Sequence, residues 1–133
     1  MGFNRWSWED ESIEVLKGKV LTEISVSEAE DEIYFTTAEG EEFLMYHNQD
    51  CCETVEIEEI IGDIEDLLGS PILMAEEITE DATWDSESWG SATWTFYKLA
   101  TIKGYVTIRW YGSSNGYYSE SVDFVRVPKD SNE

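Results

Sequence analysis

Three runs near the C-terminal end of the chain constrain its fold most. Thr93 to Thr101, Tyr105 to Trp110 and Tyr117 to Val127 are dense in β-branched and aromatic residues. Such residues suit the pleated, half-buried surface of a sheet. Lys103-Gly104 and Asn115-Gly116 sit between the runs. Asn-Gly is a strong hairpin signal because both positions tolerate positive φ. Three strands joined by two tight turns predict an antiparallel sheet.

The earlier part of the chain continues the pattern. Val20, Ile24 and Val26 begin a strand-like stretch, Ile33, Phe35 and Thr37 alternate with polar or half-polar neighbours, and Phe43 to Tyr46 returns after Glu39-Gly40. Val55 with Ile57, and Ile72 to Ile78, add further strands. Residues 9–17 are expected to form a short helix stopped by Gly18. Gly62 to Leu68 is expected to make one or two helical turns, ended by Gly69-Ser70-Pro71. Residues 80–91 have loop composition. The expected fold is mainly β (α+β), an antiparallel sheet of about 7–8 strands with one or two short helices. The chain has 133 residues, no internal repeat and no linker. One domain, 1–133, is expected, with 1–8 and 128–133 as frayed ends.

Charge narrows the partners. There are 30 acidic and 8 basic residues, for a net charge of -22. Residues 1–90 carry 26 acidic and 3 basic side chains, and residues 91–133 carry 4 and 5. A field of this sign repels nucleic acid and anionic membranes, and attracts a basic protein surface or cations. With 6 Trp, 7 Tyr and 5 Phe the chain is not a disordered acidic tail. No apolar run reaches membrane-spanning length, and Met1 to Glu11 lacks the apolar stretch of a signal peptide. Cys51 and Cys52 are adjacent, a spacing that strains a mutual disulfide, so a reducing cytoplasm is expected.

Three constellations hold chemistry. The first, Tyr46-His47-Asn48-Gln49-Asp50-Cys51-Cys52-Glu53, contains the only His and both Cys. Zinc takes thiolate, imidazole and carboxylate ligands in tetrahedral sites, and a turn can converge His47 and Cys51. Equally, one Cys can serve as a small core residue while His47 caps a turn. The second is the carboxylate run Glu53, Glu56, Glu58, Glu59, Asp63, Glu65 and Asp66. Alternate strand residues lie about 6.6 Å apart on one face, so Glu56 and Glu58 resemble the phosphate spacing of a nucleic-acid strand. The bland alternative is a solvated face that keeps the protein soluble. The third is aromatic: Trp84, Trp89, Trp94, Trp110, Tyr111, Tyr117 and Tyr118. At alternating strand positions these are core or cross-strand pairs. Trp84 and Trp89, in the expected loop, are candidate partner anchors.

Templates for catalysis fail. The chain has no Gly-x-Ser-x-Gly, no Walker A motif and no Gly-rich dinucleotide fingerprint. Acidic surroundings disfavour a thiolate at Cys51.

The blocks His47 to Glu53, Gly62-Asp63-Ile64-Glu65-Asp66-Leu67, Thr93-Trp94-Thr95-Phe96-Tyr97 and Asn115-Gly116-Tyr117-Tyr118-Ser119 resemble a family of small acidic proteins from phages and bacterial mobile elements. The resemblance runs over roughly residues 20–125, with His-x-Gln-Asp-Cys-Cys-Glu its most specific part. Phage proteins of this kind include zinc-binding anti-CRISPR inhibitors of type II effector nucleases. The resemblance therefore implies a zinc site carried by His47, Asp50, Cys51 and Cys52. It also implies a non-enzymatic inhibitor, working in the host cytoplasm, that blocks DNA loading by the nuclease. Glu53, Glu56, Glu58, Glu59, Asp63, Glu65, Asp66, Trp84 and Trp89 would then meet the partner. A metal-dependent hydrolase of a small metabolite and a Trp-based, carbohydrate-binding module are the alternatives.

Overall fold

The computed structural model describes residues 9–47, 53–81, 91–114 and 120–127. Among these residues nine strand segments make two antiparallel sheets: β1 (Glu9–Asp10), β2 (Leu21–Val26), β3 (Glu32–Thr37), β4 (Glu42–Tyr46), β5 (Thr54–Ile61), β6 (Met74–Asp81), β7 (Ser91–Thr101), β8 (Gly104–Ser114) and β9 (Asp123–Val127). One sheet has the order β1-β9-β4-β3-β2 and the other β5-β8-β7-β6. The mainly β expectation holds, with the strands divided between two layers.

Period-two burial shows why the layers stack. In β3, Ile33, Phe35 and Thr37 are buried and their neighbours only half-buried; in β8, Val106, Ile108, Trp110 and Gly112 are buried. One face of each sheet is therefore apolar and the two faces close on the main core, while Leu44, Tyr46 and Val125 form a second, smaller cluster on the opposite face of the first sheet. Phe35 meets Phe124 edge-on at 5.9 Å, and Phe43 stacks on Phe124 at 5.4 Å. Trp110 is fully buried and points its indole N–H at Met45 Sδ in the facing sheet, 3.3 Å away. Tyr97 donates to Glu77 Oε2 (3.2 Å) and Val122 O (3.4 Å), and burial beside Glu77 pushes its hydroxyl far above the usual range.

The expected helix over residues 9–17 is replaced by β1 and a 3-10 turn, Ile13–Leu16, whose N-cap is Ser12. Glu9, Asp10, Glu11 and Glu14 crowd like charges into a short segment. Ile13 and Leu16, three apart, both reach the core from one tight turn. Gly18 does close this turn, at φ 86. The second helical expectation is met by another 3-10 turn, Ile64–Leu67, capped by Asp63. The β7–β8 turn centres on Ile102 and Lys103, because Thr101 pairs with Gly104. The turn expected at Asn115-Gly116 lies outside the described residues. No helix among the described residues is long and apolar enough to cross a membrane.

Candidate functional site

At one end of the sandwich the two sheets are tied by a buried polar pair. His47 follows β4 and Glu53 precedes β5, and their side chains are 5% and 0% exposed. His47 Nε2 lies 2.7 Å from Glu53 Oε2, and Nδ1 lies 2.7 Å from the Ser121 carbonyl oxygen. A carbonyl only accepts, so Nδ1 carries a proton. The Nε2–Oε2 contact needs a second one. The pair is therefore an imidazolium facing a carboxylate, or an imidazole accepting from a carboxylic acid.

A second buried acid sits at the same end. Glu120, 9% exposed, accepts from Thr93 Oγ1 (2.8 Å) and Ser114 Oγ (2.6 Å). Gly112 makes room for that segment, because a Cβ there would stand 2.9 Å from the Glu120 carbonyl oxygen. The registers Tyr46↔Asp123, Thr54↔Ser113, Asp81↔Thr93 and Ser91↔Ser114 put all these strand ends together. The described residues Tyr46, Thr54, Asp81, Ser91, Ser114 and Asp123 thus all stand at this end. Asp50, Cys51, Cys52, Trp84 and Trp89 themselves lie outside the described residues. Both His47 nitrogens are engaged with protein oxygens, so in this arrangement His47 offers zinc no free lone pair. Among the described residues no group of three or more His, Cys, Asp or Glu side chains is placed to hold a metal.

The carboxylate run does not stay together. Glu53 turns inward to His47. Asp63, Glu65 and Asp66 sit at the opposite end, where Asp63 Oδ1 accepts from the Glu65 N–H (3.0 Å) and Thr101 Oγ1 donates to the Asp66 carbonyl. Between the ends a bulge after Ile57 breaks the alternation of β5. It leaves Glu56, Glu58 and Glu59 all exposed and sets the last two against one cation. Arg109 Nη2 is 2.7 Å from both Glu58 Oε1 and Glu59 Oε1. The expected evenly spaced row at Glu56 and Glu58 is thereby interrupted.

Arg109 leads to an aromatic surface on the second sheet. On β7 and β8 the residues out of phase with the core are Trp94, Phe96, Lys98 and Tyr105, Arg109, Tyr111. They form the outward face of the second sheet. Trp94 contacts Tyr111 (4.6 Å) and stacks on Phe96 (6.3 Å), and the Arg109 guanidinium lies 5.2 Å from the Trp94 ring. Ile78 of β6, 36% exposed, is opposite Phe96, and Tyr105 is 65% exposed. The strand order places acidic β5 on one flank of this strip and acidic β6, with Glu76 and Glu80, on the other. Aromatic residues on both phases of β7 and β8 were the available clue: only one phase can face the core.

Fold and surface define a two-sheet β-sandwich with an aromatic outer face between anionic edge strands. Residues 14–124 match DUF7448, a domain of unknown function, and the chain belongs to that family. No curated protein and no solved structure matches it.

Proposed function

We propose that this protein is a non-enzymatic binding protein that captures a basic surface of a nucleic-acid-handling protein on the outward face of its second sheet. The observation that carries this reading is the Trp94–Phe96–Tyr111 strip bordered by carboxylates of both edge strands. Protein interfaces combine aromatic anchors at the centre with a polar rim. Here the rim carries one sign, which steers a cationic partner and rejects anionic ones. Arg109 is already paired with Glu58 and Glu59 and adds no net repulsion. The net charge of -22 strengthens the long-range attraction.

A type II CRISPR effector nuclease, which holds its nucleic acids in positively charged channels, is the partner to test first. The assay is binding of purified nuclease at low and high salt, with wild type and Trp94→Ala. Association slows steeply with salt, and the variant binds at least about tenfold more weakly. Binding indifferent to both salt and Trp94 sinks the reading.

A further inference from the structure

Among the described residues the edges of this sandwich other than that of β6 are short or partly met by other segments. β1 has only two residues. The edge of β5 is met by the turn before β3, where the Ile57 N–H donates to Glu30 O (2.8 Å). The start of β2 meets the segment after the second 3-10 turn through the Leu21–Leu68 bridge, with Val20–Pro71 just before it, while Thr22 to Val26, with a single carboxylate, stay on an edge. The approach to β6 is likewise covered: the Gly18 N–H donates to Ile72 O (2.8 Å). Beyond that point no described residue pairs with the outer edge. Among the described residues β6 is hydrogen-bonded to β7 alone, and Glu76, Glu77, Ile78, Thr79 and Glu80 are five consecutive exposed residues. An edge strand leaves every second N–H and C=O pointing outward, ready to pair with another strand.

We infer that the open edge of β6 receives an extended segment of a basic protein as an added fifth strand of the second sheet. Backbone hydrogen bonds would supply affinity, and the side chains of β6 would choose the sequence. On its outward face β6 presents Glu76, Ile78 and Glu80, opposite Lys98, Phe96 and Trp94. The matching segment carries Lys or Arg, any residue, an apolar residue, any residue, then Lys or Arg. A second copy of this chain does not fit. Antiparallel pairing of two β6 strands centred on Ile78 would set Glu76 directly against Glu80 twice, and like charges directly opposite are destabilising.

This inference rests on the reading that the partner is basic, and it adds where and in what conformation the partner binds. The probe is a synthetic Lys-Thr-Ile-Thr-Lys-centred peptide, together with a version N-methylated at alternate residues, added to the full chain. Hydrogen–deuterium exchange over residues 74–81 should slow with the first peptide and not with the second. Glu76→Lys with Glu80→Lys, both at exposed positions, should weaken the peptide about tenfold or more while circular dichroism stays unchanged. Glu28→Lys with Glu39→Lys, at exposed turn positions of the other sheet, makes the same change in net charge and should leave peptide binding intact. Equal binding of the N-methylated peptide, or unchanged exchange in β6, overturns strand addition and shows that the carboxylates only guard an open edge. If the nuclease is not captured but the peptide protects β6, the proposed partner is wrong and the edge site stands.

Discussion

Replacing His47 by Ala tests the buried pair most directly. The substitution removes the group that shares a proton with Glu53, whose side chain is fully buried. Removing one partner of a buried pair costs about 3–5 kcal/mol, because the other charge stays in a poor solvent. Typical domains have about 5–15 kcal/mol in total. For a chain of this size each kcal/mol lowers Tm by roughly 3–4 °C, so the expected fall is about 9–20 °C. Glu53→Gln is milder, because the amide can donate to the Nε2 of a neutral imidazole. It should cost about 1 kcal/mol. The double variant buries no charge and should be more stable than the sum of the single losses predicts, with a coupling of about 2 kcal/mol. Urea unfolding followed by Trp fluorescence and circular dichroism measures all three. A His47→Ala cost below about 1 kcal/mol, or strict additivity, would refute the shared-proton pair.

Zinc on His47 has to displace Glu53 or Ser121 from a ring nitrogen: if those contacts stand, EDTA leaves Tm unchanged, and one zinc per chain with a lower Tm after chelation would show that the metal takes their place. Gly62 has φ 108, and a Cβ there would stand 2.4 Å from the Tyr105 carbonyl oxygen, so Gly62→Ala should cost about 2–4 kcal/mol in the same urea assay; a loss under about 0.5 kcal/mol would contradict the close approach. The hydrogen bond from Lys19 (3.0 Å), with Arg126 (3.1 Å) nearby, holds the Glu41 carboxyl below its usual 4.5. Its contribution is therefore complete above that value and disappears as pH falls through the lowered one; Glu41→Gln should flatten the acid limb of stability below about pH 4.5, and an unchanged limb counts against the cluster. Added NaCl should raise Tm by screening self-repulsion among the 30 acidic residues; a steady fall would show that attractive pairs dominate.

Strand identity was legible in the sequence wherever one face is wet and the other dry. Alternation marked β3 and β5, β-branched and aromatic density marked β7 and β8, and Gly18 and Gly40 marked breaks, because burial on one face imposes a period of two and a reversal demands unusual backbone angles. Period alone tells which residues share a face, never which face is covered. Trp94 and Trp110 look alike along the chain, yet one stacks on the outer surface and the other fills the core. That choice follows from pairings of distant segments, β5 with β8 and β4 with β9, which no local pattern encodes. The same holds for His47. Its neighbours in sequence suggest a metal block, of which Asp50, Cys51 and Cys52 lie outside the described residues; folding brought Ser121, 74 residues away, to one ring nitrogen and turned Glu53 to the other. Local physics determined the strands; burial shared between remote strands decided which aromatic, acid and imidazole groups meet.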